Sequence, residues 1–181
     1  MTALHTRLAS HSDVSSCARF FFFRMFVFFL LALSPGFIAR SSAQSLEVAT
    51  TDGHATTISA AQIANAAHVS VNVDEHGTPA RFEGVPLSTI LGMAGVKLGD
   101  SLRGLRLAEV LLVTASDGYK VAFALAEADP AFASREIILA DKRDSKPLDA
   151  REGPFRVIAP GDKRPARWIR QVTQMKVVAV Q

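Results

Sequence analysis

Gly153-Pro154-Phe155-Arg156-Val157-Ile158-Ala159-Pro160-Gly161, followed closely by Ala166-Arg167-Trp168-Ile169-Arg170, is the most informative stretch of the chain. Phe155–Ala159 reads as a short buried strand interrupted by one arginine, with a Pro-Gly turn behind it. The same region is basic. Residues 142–170 carry nine Lys and Arg (Lys142, Arg143, Lys146, Arg151, Arg156, Lys163, Arg164, Arg167 and Arg170) against Asp144, Asp149, Glu152 and Asp162. Residues 44–141 have the opposite bias, with six bases against twelve acids. Two readings of the basic stretch stand side by side. It can fold back as counterion to the acidic part, or it can gather around the Pro160-Gly161 turn as a site for an anion.

Outward from that stretch, the 181 residues suit one domain and not two. The formal charge of +3 belongs wholly to residues 1–43, where Arg7, Arg19, Arg24 and Arg40 outnumber Asp13; residues 44–181 hold 16 bases and 16 acids. A body without excess positive charge excludes a nucleic-acid binder working through counterion release. The single cysteine, Cys17, lies in the leader. Disulfide, zinc-thiolate and iron–sulfur chemistry are therefore excluded from residues 44–181.

Residues 1–43 read as a cleavable export signal. Arg19 and Arg24 flank four phenylalanines, Met25–Ala39 runs apolar, and Ser41-Ser42-Ala43 supplies small residues for a peptidase. Cleavage after Ala43 would release residues 44–181 as a soluble periplasmic domain that meets the membrane only through its signal peptide. The pattern in that body predicts strands at 46–51, 68–73, 110–115, 119–125, 136–140, 155–159 and 171–180. It predicts short helices at 59–66 and 86–94, the second opened by Pro86 and ended by Gly95 as a left-handed cap. Strands dominate, so the expected fold is α+β on a mixed or barrel-like sheet. Asp117-Gly118-Tyr119 reads as a hairpin turn. His54, His68 and His76 lack metal-ligand spacing, and no nucleophile elbow, phosphate loop or dinucleotide fingerprint is present. Trp168 reads as a core residue whose N–H needs a partner.

Four blocks in order resemble the sulfite-oxidase-type molybdopterin-binding domain. Phe82-Glu83-Gly84-Val85-Pro86-Leu87, before a helix ending Ala94-Gly95-Val96, is similar to that family's "f-x-G-v-x-L-x-x-l-L-x-x-a-G" stretch. Ala115-Ser116-Asp117-Gly118-Tyr119, then Ile137-Ile138-Leu139-Ala140 with Lys146-Pro147-Leu148, resembles the next section. The 153–161 and 166–170 segments resemble the closing "G-x-P-x-R-x-x-x-P-G … A-R-x-V-K-W" block. The resemblance spans about residues 69–180 and implies a minimal β-rich domain of that fold.

It also implies a molybdopterin site in the closing block. By position, Arg156 matches the family's arginine and Arg170 its lysine, with Trp168 and Ile169 just before it. Arg151 falls where the sulfite oxidases place a histidine. Asp117 lies in the loop that supplies an acidic cofactor contact, and Gly161, Lys163 and Arg167 complete the expected set. Arg156, Arg167, Arg170 and Lys163 are expected to converge on one anion pocket facing the 117–119 loop. An extended 168–172 segment would place Trp168 and Arg170 on one face and Ile169 and Gln171 on the other.

One departure stands out. The family binds molybdenum through a cysteine on the strand upstream of the first block, and the corresponding His68–Ala80 stretch contains none. Soft thiolate ligation is absent, and Asn72, Asp74 or His76 would be a chemically different substitute. No catalytic residue and no metal ligand is assigned. Three functions follow: a domain that binds a pterin or another anionic small molecule without sulfite oxidation; a cofactor-free sensor or interaction module with a periplasmic protein partner; or a molybdenum oxidoreductase with a non-cysteine metal site.

Overall fold

The computed structural model describes residues 44–180, so the expected export signal lies outside the described residues. Two five-stranded sheets build the domain. The first takes its strands from both ends and the middle of the body: β1 (Ser45–Ala49), β2 (Ala55–Ser59), β5 (Val110–Ala115), β6 (Lys120–Ala124) and β10 (Val172–Val178), in the order β2-β1-β10-β5-β6. β1 runs parallel to β10, with Glu47 opposite Gln174, and the other pairs are antiparallel. The second contains β3 (Val69–Glu75), β4 (Thr78–Pro86), β7 (Ile138–Arg143), β8 (Lys146–Pro147) and β9 (Arg156–Ile158). β3, β4, β7 and β8 follow one another, and β9 also pairs with β7. The mixed sheet expected from the sequence is there. The barrel-like alternative is not, since two sheets form and neither closes.

Alternation explains the first sheet. Leu111, Val113 and Ala115 of β5, and Val121 and Phe123 of β6, point into the core while their neighbours face outward. The Asp117-Gly118 turn joins these strands, with Gly118 at φ 86° and the Tyr119 N–H donating to Asp117 Oδ1 at 2.9 Å. In the second sheet, Ile138–Ala140 and Arg156–Ile158 are buried at every position. An arginine in such a strand has no route to water and must find its partners inside.

Two α-helices lie among the described residues, as expected, and both are short. α1 (Ala60–Ala64) begins with a reciprocal cap in which the Gln62 N–H donates to Ser59 Oγ and the Ser59 N–H to Gln62 Oε1. α2 (Leu87–Met93) follows Pro86 and buries Leu87, Ile90 and Leu91. Gly95 closes it at φ 82°, in the left-handed conformation the sequence calls for. No helix among the described residues is long and apolar enough to cross a membrane.

β2 and β4 are not apparent in the sequence pattern. β4 contains Pro79, Gly84 and Pro86, which speak against a strand. Its ladder explains the exception. β7 pairs with it only from Phe82 onward, so Pro79 lies where one side of β4 is free. Gly84 sits at a register shift, and a β-carbon there would collide with the backbone of Leu139 and Ala140. That close approach is the structural reason for glycine in the Phe82–Leu87 block.

Candidate functional site

β9 carries Arg156 into the interior, where the residue is only 1% exposed. Its Nη2 donates to Glu75 Oε1 at 2.5 Å and its Nη1 to Glu152 Oε1 at 2.8 Å. Glu75 is the last residue of β3, and Glu152 belongs to a turn in which its N–H donates to Asp149 Oδ1. Arg143, at the end of β7, completes the cluster by pairing with Glu75 Oε2 at 3.1 Å and Glu152 Oε1 at 3.5 Å. The guanidinium groups of Arg156 and Arg143 lie over the Phe82 ring, 5.2 and 5.4 Å from its centroid. Burial pushes the Glu75 carboxyl upward. The Arg156 hydrogen bond and the charges of Arg156, Arg143 and Arg170 outweigh it and hold the group below the ordinary glutamate range.

Arg167 sits elsewhere, on a 3-10 turn over Pro165–Arg167. It forms a two-pronged pair with Asp162, Nε to Oδ2 at 3.0 Å and Nη2 to Oδ1 at 2.6 Å. It also donates to Glu127 Oε2 at 3.2 Å and covers the Phe123 ring at 4.5 Å. The hydrogen bond to Asp162 comes first among the causes that raise its already high pKa; partial burial opposes it, and Glu127 adds to it. Beside it opens a cleft of about 300 Å³, with Phe132, Ser134, Arg135, Gly161, Asp162 and Arg167 in its wall. Arg135 is exposed, and its guanidinium donates to the Pro160 carbonyl at a long 3.4 Å. Lys163 and Arg164 stand exposed on the adjoining loop, and neither has an ion-pair partner among the described residues.

The expected single pocket is therefore divided. Arg156 and Arg170 act on Glu75, whereas Arg167, Gly161 and the Lys163 loop belong to the cleft. Trp168 and Ile169 are both buried, and the indole N–H donates to the Ala159 carbonyl at 3.0 Å. The two-face alternation over 168–172 does not occur. The turn begun by Pro165 breaks the extended run, and Gln171 adopts a left-handed φ of 50°. Asp117 is engaged by its own turn, but its loop does neighbour the site, since the Tyr119 hydroxyl donates to the Ala166 carbonyl at 3.2 Å. Gly161 provides no close backbone approach, because an added β-carbon would meet only the Arg135 side chain at 3.8 Å. The Pro160-Gly161 turn itself forms, closed by the Asp162 N–H on the Ala159 carbonyl.

Glu75, Arg143, Glu152 and Phe82, and Arg135 with Phe132 at the cleft, are the site residues not singled out from the sequence. Equal numbers of bases and acids in the body were the available signal, consistent with a basic segment meeting internal acids. Asn72 and Asp74 face solvent on β3, and Asp74 accepts the Gly77 N–H at 2.6 Å in the hairpin turn. Among the described residues no three His, Cys, Asp or Glu side chains group as metal ligands. Residues 44–180 contain no cysteine and so supply no thiolate for molybdenum, and Arg156 already holds two carboxylates.

No curated protein matches the sequence. Among solved structures, the chain is similar to the sulfane dehydrogenase SoxCD from Paracoccus pantotrophus, with a TM-score of 0.59 and 14% identity. The match covers 74% of this chain and 38% of that one, and it establishes the fold. The oxidoreductase molybdopterin binding domain matches residues 43–181, essentially the whole body of the protein. The chain belongs to the oxidoreductase molybdopterin binding domain family.

Proposed function

We propose that this protein is an exported domain of the molybdopterin-binding type that captures a small anionic ligand, of the pterin-phosphate kind, without oxidising sulfite. The observation carrying this reading is the cleft at Arg135, Gly161 and Arg167, whose loop presents Lys163 and Arg164 to solvent. The cleft wall itself is balanced, with Arg135 and Arg167 against Glu127 and Asp162, so the attraction comes from the loop and from the under-used Arg135 guanidinium. A phosphate there would receive charge-assisted hydrogen bonds from side chains that need not abandon another carboxylate. Phe132 adds an exposed aromatic face for a planar ligand. The lack of sulfite chemistry rests on residues 44–181 having no cysteine.

Calorimetric titration with inorganic phosphate and a pterin phosphate tests the binding, and a sulfite:acceptor assay on natively expressed protein tests the chemistry. Saturable phosphate binding lost in Arg135→Ala/Lys163→Ala, without sulfite turnover, is the expected result. N-terminal sequencing of the exported protein is expected to begin at Gln44.

A second reading, a cofactor-free module docking a periplasmic protein partner, is favoured by Leu105, which is 95% exposed on a 3-10 turn over Gly104–Ala108. Phosphate titrations without heat or saturation would turn the assignment to it.

A further inference from the structure

We propose that Glu75 is the built-in occupant of an anion site formed by Arg143 and Arg156, so that the chain's own carboxylate holds this site shut. The two Glu75 oxygens are divided as those of a bound oxyanion would be, Oε1 on Arg156 and Oε2 on Arg143. Arg170 adds a third positive charge acting on the same carboxylate. Two arginines thus contact both Glu75 and Glu152, with the exposed Asp144 3.6 Å from Arg143 at the margin.

The donors also exceed the acceptors. Arg156 Nε is buried with no hydrogen-bond partner, one of two such side-chain atoms among the described residues. An unpaired donor at a charged group is costly, and a tetrahedral oxyanion with more lone pairs than a carboxylate can satisfy it. Glu75 is the replaceable member of the cluster. It ends β3 at a hairpin whose Asp74, His76, Gly77, Thr78 and Pro79 are all exposed, whereas Arg156 sits in a strand buried throughout. Releasing Glu75 repositions a hairpin tip; releasing Arg156 would disturb the centre of a sheet.

The position of Glu75 sharpens the point. It lies in the His68–Ala80 stretch, which by resemblance is where the family carries its metal-binding cysteine. Here that stretch delivers a carboxylate to an arginine. The site is separate from the phosphate cleft proposed above, and its test removes that cleft's contribution.

Thermal unfolding of residues 44–181 is followed with increasing phosphate in an Arg135→Ala/Lys163→Ala background, alone and with Glu75→Gln added. A ligand that binds only the folded state raises the midpoint according to its affinity. Glu75→Gln is expected to acquire a phosphate-dependent rise, with apparent affinity at least about tenfold tighter than its parent. Adding Arg143→Ala is expected to abolish it. Glu75→Ala, which empties the same position, provides the second variant and decides the matter if Glu75→Gln does not fold. Folded Glu75→Gln or Glu75→Ala protein without such a rise would overturn the proposal, and so would a rise that survives Arg143→Ala.

Discussion

Arg156 and Arg167 lie eleven positions apart in one basic segment, yet the fold puts them to different uses. Arg156 enters through a strand buried on both faces, and its charge is met by Glu75 and Glu152. Arg167 sits on a surface turn with its side chain 34% exposed, pairing with Asp162 and Glu127 at the edge of an open cleft. The lesson is that charge density along a sequence does not define a site. Backbone burial decides which arginines must be neutralised within the fold and which remain near solvent, where a ligand can compete for them.

The contrast breaks most clearly at Arg156. Arg156→Ala leaves Glu75 and Glu152 without their main partner and is expected to cost about 3–5 kcal/mol. Chemical denaturation with an unchanged dependence on denaturant checks this. Acid acts next. Because the Glu75 carboxyl is held below its ordinary value of 4.5 in the folded protein, its contribution is present above that pH. It is lost as the pH falls through the lower folded value. Unfolding measured from about pH 6 downward should show a loss of stability in the wild type that is smaller in Glu75→Gln.

Arg167→Ala is expected to cost about 1 kcal/mol or less, since solvent screens its half-exposed pairs. A loss as large as that at Arg156 would erase the distinction. Smallest of all is Arg135→Ala, which should leave stability within about 0.5 kcal/mol while weakening phosphate binding. Lys142→Ala should leave both almost unchanged.

Much of the fold was legible from local pattern. Alternation over Val110–Ala115 and Lys120–Ala124, the Asp117-Gly118 turn, and Gly95 behind α2 each carry their own physical signal. β4 was hidden because the signal for it is long-range: Pro79 is tolerated where β7 is absent, and Gly84 is needed where the β7 backbone presses close. The four ordered blocks carried the family, and the match over residues 43–181 agrees. The candidate site was less legible. Glu75 and Arg156 are 81 positions apart, and the ladder running from β3 through β4 and β7 to β9 brings them together. Trp168 was legible as a core residue with a bonded N–H, whereas the turn at Pro165 that spoils the 168–172 alternation depends on its docking against β9 through the Val157 N–H and the Ile169 carbonyl.

The most direct test compares phosphate titrations of the wild type, Arg156→Lys and Arg135→Ala/Lys163→Ala. The lysine variant keeps a positive charge in the interior but loses the two-pronged donor geometry. The account predicts equal phosphate affinity for the wild type and Arg156→Lys, and roughly tenfold weaker binding for the Arg135→Ala/Lys163→Ala protein. Phosphate affinity that falls in Arg156→Lys and survives in the double variant would contradict it.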